Sequence, residues 1–283
     1  MSVATPAIRA STLRVELRKL AAFFRRDLLV AWSYRVAFFS DSIGLIVQVV
    51  IFSFVGRLIS PSAIPEYGGE PTTYVDYVTI GIALSSFMAI ALNRMYAVIR
   101  QEQIQGTLTS LVITPTAFST IQLGSVAYDM AYVPVRTTLF FAFTTIFFNT
   151  HFDWSGLVPT LVILSCLIPC VWGLGILASA YTLTYKQGSA VVGLIATVLT
   201  VGSGAYFPLT VFPEWVQTLA RFSPLAIALN GAREALLGGA GWSAVWPATG
   251  ILLGYSVVTL TSGMAAFRAA LQHERRRGSL GHY

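Results

Sequence analysis

The chain is poor in charge. Of its 283 residues, 11% are Asp, Glu, Lys or Arg, where a soluble domain carries about 25%. Too few polar groups remain to solvate a globular surface. Lysine is nearly absent. Lys19 and Lys186 are the two present and neither follows a glycine, so no P-loop exists to cradle a nucleotide's phosphates. The three histidines, His151, His273 and His282, fall in polar stretches, and there is no HExxH and no Cys/His cluster. This argues against zinc hydrolysis and against histidine acid–base work within an apolar block. The two cysteines, Cys166 and Cys170, stand four residues apart in one apolar block. They supply neither a disulfide framework nor metal-ligand spacing, and predict plain helix packing. Gly202-Ser203-Gly204 has the look of a serine hydrolase fragment, but with no histidine at that depth it predicts small-residue packing. The first 35 residues hold seven basic residues and no uninterrupted apolar core before Val36, so they do not read as a secretory signal.

What the chain does have is apolar length. Hydrophobic residues make up 55% of it and the mean hydropathy is +0.70. They come in blocks of about 20, enough to cross a hydrocarbon layer of ~30 Å. Such blocks must be helical, because lipid cannot satisfy open backbone groups. Spans are predicted at 36–58, 77–98, 123–148, 157–182, 189–207 and 247–267. The fold class is therefore an all-α integral membrane protein with six transmembrane helices in a single bundle.

The net charge of +6 reads as a topology signal rather than a nucleic-acid footprint, because the basic residues cluster near the chain ends. Segments 1–35, 99–122, 183–188 and 268–283 hold seven, one, one and four Lys or Arg, while 59–76, 149–156 and 208–246 hold none, none and two. Both termini are therefore expected in the cytoplasm, with the chain in the plasma (inner) membrane. Residues 1–35 form an N-terminal amphipathic cytoplasmic helix, 36–267 the six-span domain and 268–283 a basic cytoplasmic tail. In the first of these, Leu13, Leu17, Leu20, Phe24 and Leu28 share one helical face and Arg14, Arg18 and Arg25 another. It serves either as an elbow beside the bundle or a partner, or as a lipid anchor.

Between the second and third spans, Ile104, Leu108, Leu111 and Val112 make a helical stripe that Pro115 stops, predicting a short cytoplasmic helix over about 101–115. After the fifth span, Pro208, Pro213 and Pro224 break an apolar stretch. Pro213 and Pro224 suit the first turn of a helix, which predicts short helices over 213–222 and 224–237 that dip into the outer leaflet and return. Glu214, Arg233 and Glu234 lie on this re-entrant pair (208–240) as an outer gate or as side chains snorkelling to the interface.

Ionisable residues inside spans cost about 2.5–3.5 kcal/mol each by insertion scales. Asp41, Arg57 and Arg94 lie near span ends. Asp129 and Arg136 lie deeper in the third span, seven residues apart and so on one face, and read either as a polar lining of a substrate path or as contacts between helices.

These pieces resemble the permease subunits of type-2 ATP-binding-cassette (ABC) exporters over nearly the whole chain. Glu102, Gly106-Thr107-Leu108, Leu111 and Thr114-Pro115 are similar to that family's E-x-x-x-G-T-L-x-x-L-x-x-T-P cytoplasmic helix. Tyr206-Phe207-Pro208-Leu209, Phe212-Pro213-Glu214-Trp215 and Ser223-Pro224-Leu225 are similar to its re-entrant outer helices. The resemblance implies a coupling helix seated in a cleft of a separate ATPase. Glu102 and Thr107 would give polar contacts, Leu108 and Leu111 the apolar anchor, and Gly106 a close backbone approach. It implies two ATPase subunits and a second permease copy or a related permease, in membrane lipid. ATP and Mg would bind the ATPase, with no cofactor and no enzymatic activity in this chain. Gln101, Gln103 and Gln105 replace residues often charged in the family, which suits one cognate ATPase. The cargo implied is a hydrophobic or amphipathic molecule such as a drug, lipid or glycolipid. The alternatives are an ion-coupled carrier or channel, and an intramembrane enzyme.

Overall fold

The computed structural model describes residues 21–22, 24–26, 28–29, 33, 35–60, 64–69, 72–104, 118–185 and 189–277. Among these residues the regular structure is helical, with no strand. The helices are α1 (Arg35–Gly56), α2 (Tyr74–Ile104), α3 (Phe118–Phe148), α4 (Leu157–Tyr185), α5 (Ser189–Gly202), α6 (Glu214–Ala220), α7 (Pro224–Leu236) and α8 (Trp242–Arg277). Two stretches, Trp154–Thr184 and Val245–Glu274, are long and apolar enough by themselves to cross a bilayer. Ile43–Gly56, Tyr74–Ala89, Tyr132–Phe148 and Val192–Gly202 are shorter apolar runs.

The centre of the bundle is a seam between α4 and α8, built from small residues. A Cβ on Gly173 would lie 2.5 Å from the Thr259 Cβ, and one on Gly263 would lie 2.7 Å from the Gly173 carbonyl oxygen. This proximity lets hydroxyls cross between helices. Ser256 Oγ donates to the Cys166 carbonyl and Thr259 Oγ1 to the Cys170 carbonyl, each at 3.2 Å. Glycine and hydroxyl residues at such contacts are the packing mode expected where lipid offers no hydrophobic drive. Cys166 and Cys170 thus sit in helix packing as anticipated, both as free thiols. Tyr77, Ile80 and Leu84 of α2, Phe141 of α3, Ile163 and Leu167 of α4, and Leu225 and Leu229 of α7 complete the core. A smaller cluster of Ile176, Ala180, Leu183 and Phe267 joins the other ends of α4 and α8.

Helix ends follow local chemistry. Thr73 caps α2: its hydroxyl accepts from the Asp76 amide at 3.3 Å and donates to Asp76 Oδ2 at 2.7 Å. The other carboxylate oxygen of Asp76 accepts from the His151 amide at 3.0 Å, tying the α3–α4 connection to α2. Pro213 precedes α6 and Pro224 opens α7, as proline's fixed backbone angle favours.

The predicted short helices at 213–222 and 224–237 correspond to α6 and α7. The two differ in burial. Ten of the thirteen residues of α7 are buried, whereas α6 exposes Trp215, Leu219 and, just beyond it, Phe222. The chain does not continue the predicted fifth span to residue 207. Helix α5 ends at Gly202, and Gly204 adopts φ +77°, a left-handed conformation that glycine takes without strain. Residues 203–207 then run as an irregular strip across α2. The strip lies flat because Gly81 has no side chain: a Cβ there would run into the Ala205 carbonyl.

Candidate functional site

A polar groove of about 570 Å3 runs beside the core between α1, α2, α3 and α5. Helix α1 contributes Ser40, Gly44 and Gln48, α2 contributes Ser85 and Ser86, and α5 contributes Gly193, Thr197 and Thr200. Arg136 of α3 reaches it with 9% of its surface exposed. Arg136 is carried inward because Val133, Thr137 and Phe140 share its helix face and are themselves buried. An ionised side chain at membrane depth persists where it faces the bundle interior or a wet cavity, and this groove is such a place. Arg136 was legible in the sequence as an intramembrane charge. The hydroxyl and amide residues around it were not singled out, because single Ser, Thr and Gln residues in apolar helices carry no periodic signal. Asp129 occupies α3 two turns before Arg136, and its side chain lies outside the described residues.

Tyr206 lines the groove at the end of the bundle that carries the α6–α7 hairpin. The Tyr206 hydroxyl accepts from Gln48 Nε2 at 3.2 Å. Its ring stacks on Phe52 of α1 at 4.8 Å between centroids with planes 8° apart. The Tyr74 hydroxyl donates to the Tyr206 carbonyl at 2.9 Å, and the Tyr77 hydroxyl donates to the Gly204 carbonyl at 2.8 Å.

The hairpin residues singled out from sequence fall into two groups. Pro208 is buried and precedes a short 3-10 turn, Leu209–Val211, while Pro213 is exposed at the start of α6. Pro224 is buried at the first position of α7. Glu214 and Glu234 are exposed, consistent with solvated or interfacial carboxylates. Arg233 is the reverse. It is 1% exposed, with its guanidinium 3.5 Å above the Tyr77 ring centroid and hydrogen-bonded to backbone carbonyls of α2 and of the strip after α5. Snorkelling does not describe it. Tyr67, in the α1–α2 connection, has its phenol pushed up by burial, an effect the neighbouring Arg233 charge opposes.

Glu102 lies in the last turn of α2, which runs through the predicted span end to Ile104; its side chain lies outside the described residues. So do Gly106, Thr107, Leu108, Leu111, Thr114 and Pro115. No group of three or more metal-ligating side chains is found among the described residues.

Comparison with known proteins adds independent information. The family profile described as ABC-2 type transporter matches residues 18–237. The chain is 28% identical over 131 residues to the linearmycin resistance permease protein LnrN of Bacillus subtilis, covering 45% of this chain and 34% of that protein. It is 24% identical over 197 residues to the inner membrane transport permease YadH of Escherichia coli, covering 69% of this chain and 74% of that one. Nodulation protein J of Rhizobium leguminosarum is 25% identical over 227 residues, covering 77% and 82%. With apolar helices among the described residues and a family match across most of its length, the chain belongs to the ABC-2 type transporter family as a permease subunit.

Proposed function

We propose that this permease subunit exports a hydrophobic or amphipathic molecule, moving it along the groove between α1, α2, α3 and α5. The observation that carries this reading is the groove itself, which sets the Arg136 charge, the Gln48 amide and the hydroxyls of Ser40, Ser85, Ser86, Thr197 and Thr200 beside the apolar Leu45, Ala89, Ala196 and Val201. A cargo with a polar head and an apolar body fits that division, with the head held in the groove and the body against lipid-facing side chains. The name of the LnrN relative, a linearmycin resistance permease, is consistent with a drug-like cargo. Lipid and glycolipid cargo have the same amphipathic character.

In this reading the chain crosses the inner membrane six times with both termini in the cytoplasm, and α6 and α7 form a re-entrant hairpin at the outer face. The exposed Trp215, Leu219 and Phe222 of that hairpin suit the headgroup boundary, where amphipathic aromatic residues settle. Residues 101–115 act as the coupling helix. Glu102, Gly106, Thr107, Leu108, Leu111, Thr114 and Pro115 engage a separate ATPase. Two ATPase subunits and a second permease complete the transporter, and ATP with Mg is consumed in the ATPase alone.

The test is co-expression with a P-loop ATPase subunit from the same organism, chosen as the candidate partner, followed by purification through a tag on this chain only. An ATPase that co-purifies, and is lost with Glu102→Arg plus Leu108→Asp, supports the coupling role. A well-inserted chain that retains no ATPase overturns it and favours an ion-coupled carrier or channel.

A further inference from the structure

Four successive carbonyls after α5 are each held by a side chain from another helix. The Gly204 oxygen takes Arg233 Nη2 at 3.0 Å and the Tyr77 hydroxyl at 2.8 Å. The Ala205 oxygen takes Arg233 Nη2 at 3.2 Å. The Tyr206 oxygen takes the Tyr74 hydroxyl at 2.9 Å, and the Phe207 oxygen takes the Tyr77 hydroxyl at 3.4 Å. Arg233 also reaches the Tyr77 carbonyl at 3.3 Å. The strip runs inside the bundle without a helix ladder of its own, so its carbonyls need donors from elsewhere. Arg233 Nη2 supplies them to Gly204 and Ala205, and its positive charge lies just past the end of α5, the negative end of that helix's dipole. The guanidinium's own burial is offset by those oxygens at Nη2 and by the Tyr77 ring beneath it, while its Nε is buried without a partner.

The ties on the Tyr206 side chain are of a different kind. Both come from α1: the Gln48 hydrogen bond and the Phe52 stack. The backbone of the strip is thus anchored to α2 and α7, while its one groove-facing ring is anchored to α1.

We propose that Tyr206 is the lid on the hairpin end of the polar groove, and that Arg233 is the positioning residue that holds the strip so that Tyr206 meets Gln48 and Phe52. The lid opens when α1 withdraws from Tyr206, with the strip itself staying in place. This rests on the reading of the groove as the transport path, and it locates the exit.

The experiment measures groove access rather than transport. In a background with Cys166→Ala and Cys170→Ala, a single Thr200→Cys is placed below Tyr206, and its labelling rate by a charged maleimide is followed in both right-side-out spheroplasts and inside-out vesicles. Tyr206→Ala, Gln48→Ala with Phe52→Ala, and Arg233→Met should each raise labelling from the hairpin side by about tenfold, the loss of one hydrogen bond and one ring pair taken at about 1.4 kcal/mol per decade. Arg233→Lys, which keeps the charge but loses the guanidinium plane over the Tyr77 ring, should fall between the parent and Arg233→Met. A Tyr206→Ala rate equal to the parent overturns the lid. A parent-like rate in Arg233→Met beside a raised rate in Tyr206→Ala overturns the positioning role. Where Arg233→Met does not reach the membrane, Tyr74→Phe with Tyr77→Phe decides. The pair keeps both rings and removes the hydroxyls on Gly204, Tyr206 and Phe207, so a raised rate supports the anchored strip and an unchanged rate refutes it. Raised labelling together with normal transport by an Arg136→Gln chain would preserve the lid and sink the transport-path reading.

Discussion

Replacing Gly173 with alanine tests the seam that organises the bundle. A Cβ there would sit 2.5 Å from the Thr259 Cβ, where ordinary contact begins at 3.4 Å. Helix α8 must therefore retreat by about 1 Å, a gap that forfeits up to half the dispersion attraction of the atoms involved. The same shift stretches the Ser256–Cys166 and Thr259–Cys170 hydrogen bonds, both 3.2 Å long, out of bonding range. Neither hydroxyl is orphaned, because Ser256 also donates to Leu252 at 2.8 Å and Thr259 to Tyr255 at 2.9 Å. The loss is therefore the interhelical value of about 0.6 kcal/mol per bond. Overpacking adds about 1–3 kcal/mol, and alanine's better helix propensity returns up to about 1 kcal/mol. The net expectation is a destabilisation of about 1–3 kcal/mol. Gly250→Ala and Gly254→Ala are the controls: they lie on the same α8 with nothing within 4 Å of a new Cβ, and should be neutral or slightly stabilising. Unfolding of each variant by SDS titration from a mild detergent, followed by tryptophan fluorescence and far-ultraviolet circular dichroism, compares them directly. A Gly173→Ala curve that overlays Gly254→Ala would refute the close seam.

Three further outcomes are expected. Arg136→Gln should lower export by about tenfold or more, the worth of one charged hydrogen bond, with the ATPase still co-purifying, and Arg136→Lys should be intermediate; transport into inside-out vesicles measures both. Tyr74→Phe removes the donor to the Tyr206 carbonyl and should cost about 1 kcal/mol in the same SDS titration. The Ser155 hydrogen bonds hold the Asp153 carboxyl below its ordinary value. Its folded-state value is thus the lower one, so the turn Trp154–Gly156 is supported above the ordinary carboxylate value and loses that support as pH falls through the folded value. Amide exchange at Ser155, corrected for intrinsic pH dependence, should lose protection in acid, and Asp153→Asn should remove most of that dependence.

Composition and pattern alone were enough for the helical membrane class, because a chain with so little charge and apolar blocks of bilayer length has few other ways to satisfy its backbone. The hairpin helices were equally legible, since Pro213 and Pro224 act through their own fixed backbone geometry. The family, too, was readable from local motifs at 102–115 and 206–225. Tertiary contacts decided what local signals could not. Gly202-Ser203-Gly204 offers a local stop for α5, but the course of the strip that follows depends on Gly81, Tyr77 and Arg233 receiving it from elsewhere in the chain. Arg233 looks in sequence like any interfacial arginine on an amphipathic helix. Its burial is set by the carbonyls of Gly204 and Ala205, 29 and 28 residues away, and of Tyr77, 156 residues away. Likewise, Arg136 announced an expensive intramembrane charge, but only the packing of four helices shows that it faces a groove. Periodicity reports which face of a helix is apolar, whereas the value of a buried charge or an open helix end depends on which distant groups meet it.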